Sequence, residues 1–221
     1  MASLKKQSLP NSHKCLFAIL AMLLCACTPV PDHCGDYDSI AAVDGCPTLP
    51  KDSFTDVRNG ENYRTVKIGD LIWMAENLNY ETENSWCYGG SEFNCVRYGR
   101  LYTWNDAMIA CPAGWHLPTD EEWENLLSVV GRSEAGTKLK SKEPAWDGTD
   151  ESGFSAMPGG MRTNGGEFDY AGEHGYWWSA MENGTNPNQA RNREMNLGDS
   201  FVAVLNSNKT VGFSVRCVWG T

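Results

Sequence analysis

The sequence predicts an α+β domain of two helices, short antiparallel strands and long loops, stapled by disulfides. Three observations carry that expectation. Short alternating runs at 54–58, 63–68 and 71–74 are divided by the turn pairs Asn59-Gly60 and Gly69-Asp70. Thr119 opens a helix that shows nearly every start signal. An even set of cysteines is spread over a chain otherwise rich in Gly, Asn and Asp. The apolar fraction, 41% of 221 residues, suffices to bury a core.

The N-terminus comes first. Lys5, Lys6 and Lys14 precede the uncharged run Cys15–Cys25, which is too short for a comfortable membrane span. The run ends in Leu24-Cys25-Ala26-Cys27, which resembles a bacterial lipobox with Cys27 as the lipidated first mature residue. Cys25 competes for that role, but Met22-Leu23-Leu24 lacks the small residue wanted before a cut. Thr28 after the cysteine, rather than Asp, is similar to lipoproteins sorted to the outer membrane. Residues 1–26 are therefore expected to be a signal peptide and 27–52 a Pro/Asp/Gly-rich lipid-anchored tether, with the domain at 53–221. The expected location is the bacterial outer membrane or cell surface. Loss of the leader's three lysines takes the formal charge from −10 to −13, which disfavours nucleic acid as a partner.

Nine cysteines reduce to six once Cys15 and Cys25 leave and Cys27 takes lipid. Six allow 15 connectivities. The favoured set is Cys34–Cys46, Cys87–Cys95 and Cys111–Cys217: two short local loops and one long closure. A metal cluster would want close CxxC-type spacing, which the sequence lacks.

Within the domain, the three alternating runs form a meander and "MAENLNY" leads out of it. Residues 84–98 read as a loop closed by Cys87–Cys95. Thr103 caps a short helix, Trp104–Ala110. Thr119 then caps the second, with Glu122 completing a capping box and Asp120, Glu121 and Glu122 serving the helix dipole. Trp123, Leu126, Leu127 and Val130 form its apolar face, and Gly131 ends it. Beyond lie loops, with strand candidates at Phe154–Met157, Tyr176–Ala180, Glu194–Leu197, Phe201–Leu205 and Val211–Val218, and a turn at Asn206–Lys209. The first and last strands are expected to pair. Arg216 is expected to be a structural partner rather than a catalyst.

The runs "DVRNGENYRTVKIGDLIWMAENLNY", "YGRLYTWNDAM", "CPAGWHLPTDEEWENLL" and "GFSVRCV" together resemble the Fibrobacter succinogenes major paralogous domain over roughly residues 53–219. "GWHLPTDEEWENLL" is also similar to the signature of the formylglycine-generating, sulfatase-modifying-factor superfamily. The resemblance implies a C-type-lectin-like fold. It does not carry that superfamily's chemistry. Formylglycine-generating enzymes use a copper-binding cysteine pair before the closing Gly-Phe…Arg strand, and residues 176–216 contain no cysteine. Sulfoxide-synthase relatives need a histidine cluster, whereas the mature chain has only His33, His116 and His174. His116 reads as a structural histidine of the "GWHLP" turn, and His33 beside Cys34 as inert.

Two features suggest calcium: the triplet Trp104-Asn105-Asp106, which resembles the calcium-ligating triplet of calcium-dependent C-type lectins, and the cluster Asp147, Asp150 and Glu151. The first lies where relatives start a helix, and the second lacks EF-hand spacing, so no cofactor is expected and calcium stands as the alternative. No catalytic residues are expected. Fold relatives hold ligands on the long loops between the helices and the last strands. Large aromatics dominate burial, so Trp115, Trp123, Trp177 and Trp178 are expected in the core. Trp86 and Trp146 are expected as exposed platforms, with Phe168 and Tyr170 beside them as ligand-binding candidates. The expectation is a non-enzymatic exported lipoprotein that binds glycan, such as plant polysaccharide in adhesion. Its alternatives are an envelope structural or protein-interaction module, and a divergent enzyme of the superfamily.

Overall fold

Alternation at the start of the domain becomes an antiparallel meander. A computed structural model of the chain describes residues 52–220. The expected leader, the Cys27 lipidation site, the tether up to Lys51 and the Cys34–Cys46 pair lie outside them. β1 (Ser53–Thr55) pairs with β2 (Asn62–Ile68), and β2 with β3 (Leu71–Met74). The second hairpin is tight: Ile68 faces Leu71 across Gly69-Asp70, with Gly69 at φ 62°. The first is not the two-residue turn that Asn59-Gly60 suggested. Thr55 faces Asn62 across six residues, because the Asp56 carboxylate accepts the backbone N–H of Arg58 at 3.0 Å and its Nη2 at 2.7 Å, widening the loop.

The helix at Thr119 forms as its signals dictate. α3 (Asp120–Val130) has a complete capping box: Thr119 Oγ1 accepts from Glu122 N–H at 3.2 Å, and Glu122 Oε2 accepts from Thr119 N–H at 2.8 Å. Trp123, Leu126 and Leu127 are buried, and Gly131 leaves the helix at φ 91°. α2 (Trp104–Ala110) starts at Thr103, whose side chain accepts from Asp106 N–H. Two further helices were unexpected. α1 (Glu92–Tyr98) starts within the Cys87–Cys95 loop and runs past it, and its seven residues bury Cys95 and Tyr98 while Phe93 and Val96 face outward, so no apolar stripe announced it. α4 (Ala135–Leu139) is shorter still. Its Gly136 packs backbone to backbone, where a Cβ would stand 2.5 Å from the Phe201 carbonyl oxygen.

The last segment departs most from expectation. Val211–Val218 is buried throughout, yet it is not one strand and does not pair with the first. Single bridges join Gly212 to Arg162, Phe213 to Tyr102 and Ser214 to Trp177. Then β12 (Val218–Trp219) enters the sheet between β3 and β6 (Trp115–His116), giving the order β1-β2-β3-β12-β6. A strand apolar on both faces belongs at the centre of a sheet, not beside the exposed β1.

Three smaller sheets complete a mixed α/β fold. β4 (Ser85–Trp86) pairs with β5 (Leu101–Tyr102), and β7 (Met161–Arg162) with β8 (Phe168–Asp169). β9 (His174–Glu182), β10 (Gln189–Asn196) and β11 (Ala203–Asn208) form an antiparallel sheet in the order β11-β10-β9. All three run longer than their sequence candidates, and the turn expected at Asn206 begins only at Lys209. Phe154–Met157 forms no strand and makes a single bridge, Lys140 to Ala156.

Strand pleating divides the core in two. Ile72 and Met74 face one cluster with Tyr102, Trp104, Trp178 and Phe213. Trp73 faces the other with Trp123, Leu126, Trp146, Phe154 and Trp177. The adjacent Trp177 and Trp178 are split the same way. Disulfides Cys87–Cys95 and Cys111–Cys217 form as expected.

Candidate functional site

Most polar residues singled out in the sequence serve the scaffold. His116 bonds Glu122 Oε1 at 2.8 Å and the Gly220 carbonyl at 3.0 Å, tying the "GWHLP" turn to α3 and to the chain end. The Glu122 bond raises the His116 pKa above its ordinary value, more than burial lowers it. Burial opposes ionisation of Glu122, but the bonds from His116 and the Thr119 amide hold its carboxyl below the usual range. Asp106 accepts from Asn84 N–H at 2.9 Å and Asn84 Nδ2 at 3.1 Å. Asp150 accepts from Ser155 N–H and Oγ at 2.8 and 2.7 Å. Asp147 takes the buried Lys140 ammonium and Gly198 N–H. Asp106, Asp147 and Asp150 are occupied by protein donors, and among the described residues the oxygens of Asp147, Asp150 and Glu151 do not converge on one point.

A hub that sequence analysis missed lies at Asn77. Its Oδ1 accepts from Arg216 Nη2 at 2.7 Å, Arg216 Nε at 3.2 Å and Trp177 Nε1 at 2.9 Å. Its Nδ2 donates to the Tyr98 carbonyl at 2.8 Å and to Ser214 Oγ at 3.3 Å. Arg216 is fully buried and also donates to the carbonyls of Met74 and Phe154. No carboxylate is within salt-bridge reach of it among the described residues, and burial pushes its guanidinium down to about 9. It is a hydrogen-bonding partner, as expected, that fastens the closing segment to β3 and to the 154–155 loop.

Of the four ligand candidates, the structure gathers three around the β7–β8 hairpin. Trp86 is not the exposed loop platform expected: it is half-buried in β4, and Arg162 of β7 lays its guanidinium over the ring, 3.9 Å from the centroid. Phe168, which faces Arg162 in the hairpin, packs on Tyr88 at 5.4 Å. Tyr170 follows, 49% exposed, its ring tilted against His174 at 4.8 Å between centroids. It holds φ 67°, a left-handed conformation costly for a bulky residue, while its carbonyl accepts from Glu173 and His174 N–H to close a turn. His174 Nδ1 meets Glu194 Oε1 at 3.0 Å and Tyr176 Oη at 3.1 Å. Burial, and then the Glu194 charge, raise the Tyr176 pKa and keep it a neutral phenol. Glu167 and Asp169 are exposed on the same hairpin. Arg162, Tyr88, His174 and Glu194 were not foreseen, because register across separate segments brings them here.

Trp146 is a correction. It is fully buried, donates its indole N–H to the Ala156 carbonyl at 2.8 Å, and packs with Trp123 and Phe154. Its loop wraps the core, so a position outside regular structure did not mean exposure.

A separate polar groove of about 610 Å³ opens between α1, the 61–64 and 75–79 segments, and the 141–144 loop. The ion pair Arg97–Glu143, 3.0 Å, links α1 to that loop, and Arg64–Glu76 lies on the facing wall. None of the four candidates lines it.

No curated protein and no solved structure matches the chain. The model of the Fibrobacter succinogenes major domain matches residues 66–219, from within β2 to the end of β12, and so takes in the Asn77–Arg216 hub, both described disulfides and the aromatic hairpin. The chain belongs to the Fibrobacter succinogenes major domain family.

Proposed function

We propose that this is a non-enzymatic glycan-binding domain, C-type-lectin-like and related to the sulfatase-modifying-factor superfamily, carried on the bacterial outer membrane by lipid at Cys27. The C-type-lectin-like reading is supported by strands from both ends of the domain meeting as neighbours, β3 beside β12. It is also supported by the long Cys111–Cys217 closure and the loop-rich stretch before β9. The glycan reading rests on one observation: Tyr170 is held half-exposed in a strained conformation, on a hairpin shared with Phe168 and backed by His174 and Glu194. Strain of this kind costs about 1–3 kcal/mol and persists where surrounding structure enforces it, often for function. An aromatic face flanked by a histidine, carboxylates and a guanidinium suits sugar rings, whose apolar C–H faces stack while their hydroxyls hydrogen-bond.

The second reading, an envelope protein-interaction module, is favoured by the exposed Phe93 and Val96 on α1. A glycan array and an insoluble-cellulose pull-down with residues 47–221, in calcium and in chelator, separate the two. Retention that Tyr170→Ala and Trp86→Ala abolish supports glycan binding at the hairpin. No retention by folded, oxidised protein overturns it and leaves the interaction module.

A further inference from the structure

Among the described residues, no strand or helix covers the outer edge of the three-stranded sheet. β11 lies at that edge, bonded among the described residues to β10 alone. Ser214 takes the outward backbone bonds of Tyr176 and Trp178, which makes Trp177 and Arg193 the hydrogen-bonded pair and turns Asn192 toward β11. Leu205, opposite Asn192, therefore bonds inward, while Val204 and Asn206 point their N–H and C=O groups away from the sheet. No other backbone bond reaches those two residues among the described residues.

Edge strands are usually blunted by a lysine, a proline, a bulge or a covering element. Among the described residues β11 shows none of these: its sequence is Ala-Val-Leu-Asn-Ser-Asn, and its ladder with β10 runs six pairs without a shift. Val204 and Leu205 are 46% and 40% exposed, on opposite faces of the strand. The strand is uncharged in a chain of net charge −10, so it offers self-association a strip without the like-charge repulsion of the remaining surface.

We infer that β11 is the interface of a homodimer, in which two copies extend the sheet by antiparallel pairing across a two-fold axis at Leu205. An isologous contact needs a self-complementary strip, and this register provides one. Val204 exchanges both backbone hydrogen bonds with Asn206 of the partner subunit, and the two Leu205 side chains meet as the closer, non-hydrogen-bonded pair.

Light scattering on the purified full chain from about 1 to about 100 µM tests this, since weak symmetric contacts fall in that range. The expected result is a mass rising to twice that of the chain. Val204→Lys adds the usual edge blocker, and Asn206→Pro removes an outward N–H without breaking the bonds to β10. Both variants are expected to stay monomeric with an unchanged thermal midpoint. Leu205→Cys should form a disulfide-linked dimer, because opposed residues of such a pair have Cα atoms about 4.5 Å apart, within disulfide reach. Val129→Cys, exposed on α3, should not. A monomer at every concentration overturns the inference. So does a dimer that persists in Val204→Lys and fails to cross-link through Leu205→Cys.

Discussion

Replacing Asn77 with Ala removes an acceptor shared by two buried donors on two different segments. Trp177 Nε1 loses its bond to Asn77, at 2.9 Å, and an orphaned buried N–H costs about 1–3 kcal/mol. Arg216 loses the bonds that Nε and Nη2 make to Asn77, each charge-assisted and each worth about 1.5–3 kcal/mol, but Nη1 keeps the Met74 and Phe154 carbonyls and Nη2 the Ser155 carbonyl. Water entering the vacated space recovers part of this, so the net loss should be about 3–5 kcal/mol. Equilibrium urea unfolding of the oxidised domain, followed by tryptophan fluorescence, measures it. The partner variant Arg216→Met extends the test: the double variant should lose less than the sum of the singles, by at least about 1 kcal/mol of coupling. A loss below about 1 kcal/mol for Asn77→Ala, or strict additivity, would show that the hub does not hold the closing segment.

Three other outcomes follow from the same structure. Cys111–Cys217 spans 106 residues and Cys87–Cys95 spans 8, so paired serine replacements should cost about 4–5 and about 2–3 kcal/mol in the chain-entropy model, as read by urea unfolding. The His116–Glu122 pair should give stability two pH edges. The raised His116 pKa contributes fully below its unfolded value of 6.5 and is lost as pH rises through the native one; the lowered Glu122 pKa contributes above 4.5 and is lost as pH falls through its native one. Thermal midpoints of His116→Gln between pH 6 and pH 8 should therefore lack the decline of the parent chain. Tyr170→Gly relieves a positive φ, so its thermal midpoint should hold or rise while glycan retention disappears.

Elements were legible in the sequence where their causes are local. The Thr119 box, the Gly69-Asp70 hairpin and the two described disulfides each follow from a short pattern or from cysteine spacing. What escaped depends on distant partners. Asn77 lies among the buried Met74, Ala75 and Leu78, and a polar residue within such a run is the one local hint of its role; its partner Arg216 stands 139 positions away. α1 turns Phe93 and Val96 outward and so breaks the periodicity that reveals a helix. Trp146 was misplaced because an irregular segment was equated with the surface, yet its indole N–H found a carbonyl and its ring a core. At the candidate site, Tyr170, Phe168 and Trp86 were legible as aromatics in polar sequence, but only Tyr170 among them is exposed; Phe168 and Trp86 are half-buried in short strands. Arg162, His174 and Glu194 were not legible, because only strand register sets them beside those rings.

The most direct test of glycan recognition at the hairpin is calorimetric titration of the best glycan from the array into the parent domain and into Tyr170→Ala. Loss of a stacking ring should weaken binding at least about tenfold, equivalent to about 1.4 kcal/mol. Equal affinity, from variants with equal thermal midpoints, would place recognition elsewhere on the domain and contradict the assignment of Tyr170.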